Sequence, residues 1–329
     1  MLPNITLDDI IGEFGKYYVN GGQNERNLGR LLLQRSKTPS ICTPITTDNT
    51  EYRHALASIG SVVQAFQKHF TPKGSLEFSP RTIKLNNIKI DAELYPDDIK
   101  YTWLGFWENL DENDRSKWPI VRWFLEYLII PKKEHELEVL NYYKGEYKEP
   151  TANTAGASKN AMNGLRLQIK SGLASGRMKS LSSVLSGVNA DNIFDGVENA
   201  AEYVEKEYPE LIEETNLQFC MPNNWMKAFL RDKRNTHGTD VNYDPNKVTV
   251  DFYDNLKLVG LPSMVGTNDF FITPQSNLLY LKRTSGMKRF EIQKQDRLVK
   301  FLTDWYEGIG FAYDEFAFAH IDGGSGSGS

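Results

Sequence analysis

The sequence predicts an α+β chain, and three observations carry that prediction. Helical spacing runs from 116 to 148, short strand-like runs alternate with helices from 160 to 290, and a meander of alternating residues begins at 287. The chain has 329 residues, 40% of them hydrophobic, which is enough for a substantial core in two domains or one large unit.

Residues 1 to about 55 read as an arm rather than a domain. "ITLDDIIGEFGKYYV" can form one short helix, but "NGGQNERNLG" and "RSKTPSICTPITTDNT" are polar and turn-rich, so this stretch needs something external to lie on. "EYRHALASIGSVVQAF" has mixed helical spacing, and "HFTPKGSLEFSPRT", with Pro72, Gly74 and Pro80, reads as an exposed loop. In "TIKLNNIKIDAEL", Ile83 and Leu85 share one parity and Ile88, Ile90, Ala92 and Leu94 the other. The register changes at Asn86-Asn87, either through a tight turn or through a bulge that re-aims one long strand.

"SKWPIVRWFLEYLIIPKKEHELEVLNYYKGEYK", 116 to 148, carries the longest helical signal. Ser116 can cap it, Pro119 suits a first turn, and Trp118, Val121, Leu125, Leu128 and Ile129 fall on one stripe. Pro131 is expected to kink or end the helix before Leu137, Leu140 and Tyr143 resume the period up to Gly145. "PTANTAGASKNAMNG" then marks a boundary.

Beyond it, Asn192 opens "IFDGVENAAEYVEKEYP", a helix stopped by Pro209. "NLQFCM" reads as a strand and "PNNWMKAFLRDKR" as a helix, and "VTVDFY", "LKLVGLPSM" and "DFFITPQSNLLYL" supply short strands. In the meander, Phe290 and Ile292 alternate with polar residues, and Val299, Phe301, Thr303 and Trp305 line one side of the next strand. Gly308 and Gly310 are expected to bracket a turn into the last strand, where Phe316, Phe318 and His320 face one way and Ala317, Ala319 and Ile321 the other. A strand apolar on both faces has to be covered on both. "GGSGSGS", 323 to 329, reads as an appended flexible linker outside the fold.

Charge and cysteine content narrow the function. A net charge of -5 with no dominant basic cluster argues against tight sequence-independent nucleic-acid binding, which draws on neutralised phosphates. Cys42 and Cys220 are too few for a disulfide framework, so buried inert thiols in a reducing compartment are expected. Neither a signal peptide nor an apolar run of spanning length is present, which predicts a soluble protein that is not exported and has no membrane partner.

No motif meets the requirements of an active site. "GLASGRMKS", 172 to 180, has its glycines one residue too close for a phosphate loop and Arg177 in place of the lysine. His135-Glu136 opens like a zinc helix, but Val139 stands where the second histidine belongs. His237 and Asp240 in "HGTD" could act as base and orienter, although a simple turn explains them. "DENDR", 111 to 115, lacks the spaced ligands of a calcium loop, and "GIG", 308 to 310, lacks a dinucleotide fingerprint. His320 lies on an apolar face, where a satisfied core histidine is the usual finding. Aromatic and basic residues in "LLYLKRTSGMKRF" could stack bases, and equally fit a packed strand. No catalytic, cofactor-binding or metal residue is assigned.

The order of elements resembles that of the major capsid protein of tailed bacteriophages, the Hong Kong 97 type fold. The resemblance lies in a polar arm, an extended loop ending in "TIKLNNIKIDAEL", a long helix, a mixed central domain and a closing strand. "LQFCMPNNWMKAFLRDKR", "VGLPSM" with "NDFFITPQSNLLYL", and "DWYEGIGFAYDEFAFAHI" resemble the family's central-domain strand and helix, its later short strands and its closing strands. The resemblance implies an N-terminal arm at 1–55, an extended loop at 56–95, a peripheral domain at 96–150 and 287–322 with the long helix on an antiparallel sheet, and an axial domain at 151–286.

It further implies a non-enzymatic subunit that self-assembles through pentamers and hexamers into an icosahedral shell around double-stranded DNA. That shell is part of the virion and is assembled in the host cytoplasm. A separate scaffolding protein and a portal are implied as partners, with packaged DNA touched non-specifically and no cofactor. Some members of the family join subunits by a lysine-asparagine bond. Lys73 is the candidate donor near the loop tip and no acceptor is identified, so no cross-link is predicted. The alternatives are an encapsulin-type compartment shell and an α+β hydrolase using His237 and Asp240.

Overall fold

The computed structural model describes residues 36–95, 124–214, 216–237, 248–250, 253–284, 289–295 and 298–322. Most of the arm, the 111–115 acidic turn, Ser116, Trp118, Pro119, Val121, Asp240 and the 323–329 linker lie outside them.

Strand β1 (Thr43–Thr47) follows one short helical turn, Lys37–Ser40. Strand β2 (Glu51–Ile59) runs out from the body, a loop at 60–75 turns the chain, and β3 (Leu76–Lys84) returns antiparallel to β2 in a two-stranded ribbon. The helical spacing read into 51–66 is therefore overturned in its first half, which is strand. Isolated ribbon strands alternate freely, and the mixed periodicity reflected the lack of a buried face to enforce one period. At Leu85 the ladder breaks, and β4 (Asn86–Leu94) changes partner to pair with β12 (Leu298–Phe311). Of the two readings of the Asn-Asn register change, the re-aimed long strand holds.

The long helix passes through Phe124–Ile129, Ile130–Glu136 and Leu137–Asn141, with a π-helical first and last part. Tyr142 N–H donates to the Leu137 carbonyl, five residues back. This wider turn displaces the apolar stripe: Leu125, Ile130, Leu137 and Tyr142 are buried five or seven positions apart, and Leu128 is exposed. Pro131 does not end the helix: it opens the α-helical part directly after the wide turns, where its missing N–H is least needed.

A six-stranded sheet runs β5 (Lys179–Ser180), β13 (Phe318–His320), β9 (Phe270–Pro274), β6 (Leu217–Pro222), β8 (Tyr253–Leu261), β7 (Thr249–Val250). Every residue of the central β6 is buried, as a strand covered on both faces requires. One face carries Phe219, Met221, Phe270, Ile272 and Phe318 under the helices Ile193–Glu207 and Asn223–His237. The other carries Cys220, Phe271, Ala317 and Ala319 against Leu137, Tyr142, Tyr143 and the helix Leu165–Ala174. Asn192 precedes the Ile193–Glu207 helix without a side-chain cap, and the buried Asp232 carboxylate takes the Phe194 N–H at 2.8 Å instead.

The second sheet has five strands, β1, β10 (Leu278–Arg283), β12 and β11 (Arg289–Gln295), with β4 on the other edge of β12. Part of the stretch read as an arm, Thr43–Thr47, is thus an edge strand of the chain's own sheet. The expected turn at Gly308 and Gly310 is overturned: β12 runs straight through both. A Cβ on Gly308 would stand 2.7 Å from the Lys84 carbonyl oxygen, so the glycine serves close strand approach. The last strand accordingly leaves the meander and joins the six-stranded sheet, where both of its faces are covered by this chain's own residues.

Candidate assembly surface

The described surface is distinguished by the β2–β3 ribbon. Its outer half and the 60–75 loop expose Ile59, Val62, Val63, Phe66, Phe70, Leu76 and Phe78, with Phe66 93% and Phe70 94% accessible. Scattered exposed hydrophobics are ordinary, but a contiguous run at the tip of a protrusion marks an interaction site. Local polar bonds hold the loop without covering it: Gly60 N–H donates to Ser75 O at 3.0 Å, Gln64 Nε2 to Thr71 O at 2.7 Å, and Lys73 Nζ to the Val63 carbonyl. Gly74 turns the chain at φ +91, the left-handed region open to glycine. Lys68 and Lys73 give the tip positive charge, and no acidic residue occurs between 60 and 76.

The ribbon's root is fastened to the body. Ile83 and Leu85 pack with Leu279 and Leu281, flanked by Ile45, Tyr52 and Tyr306. Arg81 reaches Glu315 at 2.5 Å and Asp314 at 3.9 Å, Arg177 binds Asp314 at 2.9 Å, and His54 Nε2 meets the Ala312 carbonyl. The fastened base and bare end fit a lever that is ordered by its own chain and completed by something else.

Two buried carboxylates tie the body together, and sequence reading passed over both. Glu307 accepts from Tyr142 Oη at 2.7 Å, Trp305 Nε1 at 2.7 Å and the Tyr280 hydroxyl, while Lys133 Nζ lies 4.7 Å from the centre of the Trp305 ring. Asp269 accepts from Arg166 Nε at 2.6 Å, Tyr143 Oη at 2.9 Å and the Asp322 N–H at 3.0 Å, which anchors the chain's last described residue. Burial first, and then the adjacent carboxylate, pushes the Tyr142, Tyr143 and Tyr280 phenols well above their ordinary range. An acid set beside a run of apolar residues, Glu307 in "WYEGIG" or Asp269 in "NDFFI", is the available signal.

The residues singled out from sequence do not converge. His237 ends its helix with its ring 5.2 Å edge-on from Phe194, and Asp240 lies outside the described residues. His135 is on the long helix, Arg177 is paired with Asp314, and His320 stacks on Phe270 and bonds Ser182 Oγ through Nδ1 at 3.1 Å. In "LLYLKRT", Tyr280 is committed to Glu307, and Lys282 and Arg283 lie over the rings of Tyr280 and Tyr306. Cys42 and Cys220 are both buried free thiols in one core; burial first and Glu138 second push Cys42 up to about 12. Among the described residues no three His, Cys, Asp or Glu side chains come together to hold a metal, and no helix is long and apolar enough to cross a membrane.

Comparison with solved structures bears on the whole architecture. A chain of the satellite phage P4 procapsid, solved with its size determination protein, superposes with a TM-score of 0.56 at 12% identity, over 96% of this chain and 98% of that one. This is a phage capsid fold. The capsid of an empty GTA particle gives a TM-score of 0.53 at 13% identity over 87% and 90%, and the capsid of Myoviridae phage XM1 gives 0.51 at 10% over 84% and 88%. No protein-family model and no curated protein matches the sequence. A capsid fold thus persists with scarcely any identity, in keeping with a sequence that conveys burial pattern more than signature motifs.

Proposed function

We propose that the chain is the shell-forming subunit of a tailed-phage capsid of the Hong Kong 97 type. In this reading 1–55 is the arm, 56–95 the extended loop, 96–150 and 287–322 the peripheral domain with β13 crossing over, and 151–286 the axial domain. The observation that carries it is the ribbon, clamped at Arg81 and His54 and bare at Phe66 and Phe70. Fully burying a Val, Leu, Ile or Phe side chain contributes about 1.5–3 kcal/mol, so seating the tip on a second copy supplies a substantial gross driving force, partly offset by lost subunit freedom. Heterologous contacts of this kind close into pentamers and hexamers when their rotation permits.

The shell's role is enclosure of double-stranded DNA, with a scaffolding protein and portal as separate partners and no catalysis. The mildly acidic chain, at net charge -5, lines such a container without gripping its polyanionic content. Electron microscopy of the purified protein over rising concentration tests the reading. Capsomers, tubes or shells are expected, and a single monomeric species throughout contradicts it. Nucleic acid inside purified particles separates a genome container from an encapsulin-type cargo shell.

A further inference from the structure

Two helices of the six-stranded sheet's covering layer carry opposite charge in stripes. On Ile193–Glu207, Asp195, Glu198, Glu202 and Glu205 recur at intervals of three and four, so they share one face, and Lys206 is the sole basic residue from 191 to 214. On Asn223–His237, Lys227, Arg231 and Arg234 recur at four and three; the one acid of that helix, Asp232, is buried and capping the other helix. At 1.5 Å per residue the acidic stripe spans about 15 Å and the basic stripe about 10 Å, lengths that can be laid along each other.

Members of both stripes face outward among the described residues. Asp195, Glu202, Lys227, Arg231 and Arg234 are exposed, and none forms an ion pair with the described residues. Glu205 accepts from the Tyr253 hydroxyl at 2.6 Å. Beside it lies a depression floored by Ile212, Leu217 and Leu256 and edged by Asp254, while half-buried Met226 and Leu230 flank the basic stripe. The Tyr253 phenol is pushed up to about 12, by burial first and then by Glu205, Glu202 and Glu198, in keeping with a concentrated negative potential there.

We infer that the acidic face of Ile193–Glu207 in one copy docks on the basic face of Asn223–His237 in the next, as a charge-matched contact between neighbouring subunits of a capsomer. The inference rests on the capsid reading and adds the residues that choose the partner. Complementary patches at different places on one chain are what a heterologous, ring-closing contact requires. A second copy fits better than a nucleic acid, because three bases beside a strongly acidic helix offer a polyanion little net attraction. Such pairing sets register and rejects wrong orientations, where like charges meet.

Charge exchange in the full-length protein tests it. Glu202→Arg and Arg231→Glu, each alone, are expected to raise the protein concentration needed for capsomers or shells roughly tenfold or more, with unchanged circular dichroism and melting. The double variant E202R/R231E restores assembly, and Asp195→Lys with Lys227→Glu repeats the pattern. Normal assembly of the single variants alongside wild-type shells overturns the inference and leaves the capsid reading intact. Single variants that assemble normally and package less DNA likewise overturn it, assigning the basic stripe to polyanion contact. A wild-type protein that never assembles overturns both.

Discussion

His54 and Arg81 stand opposite each other across the β2–β3 ribbon, and both reach from it to the C-terminal segment, His54 to the Ala312 carbonyl and Arg81 to Glu315 at 2.5 Å. The ribbon's direction is therefore set by a polar clasp near its root as well as by the apolar cluster around Ile83. Arg81→Ala leaves the part-buried Glu315 without its cation, a loss on the order of 1–3 kcal/mol felt locally. Hydrogen exchange at 52–54 and 82–84 is expected to accelerate while the six-stranded sheet keeps its protection. Unchanged exchange at the root contradicts the clasp.

Trp305 is buried, donates its indole N–H to Glu307 and sits beneath Lys133. Trp305→Asp removes the ring, opens a cavity and sets a second carboxylate beside a buried one. A loss of at least about 3–5 kcal/mol is expected, enough to abolish the native fold or leave it marginal. Normal particles from this variant, or a melting temperature near that of wild type, contradict the placement.

Gly308 lies under the Lys84 carbonyl at the point where β3 hands over to β4. Gly308→Ala forces backbone apart, because the 2.7 Å contact is with main chain rather than a movable side-chain end. Denaturant melts are expected to show a cost of roughly 1–3 kcal/mol. A neutral effect means that β12 does not approach Lys84 as closely as described.

Tyr142, Tyr143 and Tyr280 hold their protons above the ordinary value of 10.0, because each is buried beside a carboxylate. The native state thus keeps protons that the unfolded chain releases above that value. Their contribution to stability is complete below pH 10 and is lost as pH rises beyond it, by about 1.4 kcal/mol per pH unit for each tyrosine. Urea melts across this range are expected to show the decline, and Tyr143→Phe is expected to lower its slope by one tyrosine's share. An unaltered slope contradicts the burial-driven shift.

How legible this was in the sequence depended on what supplied each constraint. Helices with one buried face, such as Ile193–Glu207 under its Val197, Ala200 and Val204 stripe, could be read from local spacing. The two-faced strand read into 316–321 is shorter in the structure, Phe318–His320, with Phe316 ending a 3-10 turn, and its partners β9 and β5 were not evident, since a period of two identifies faces and leaves neighbours open. Leu128 was misplaced because π-helical turns shift the repeat, and Gly308 because glycine marks a turn and a close approach equally well. At the ribbon, the exposure of Phe66 and Phe70 could not be foreseen: an apolar pair in a loop looks the same whether it folds inward or waits for a partner.

Shell formation of this kind requires that the ribbon tip be covered by other copies of the chain. Hydroxyl-radical footprinting of Phe66 and Phe70, compared between free subunits and assembled particles, measures this directly. Strong reactivity in the free chain and marked protection after assembly are expected. Equal reactivity in both, or protection already complete in a lone subunit, contradicts the claim that the ribbon is an assembly surface.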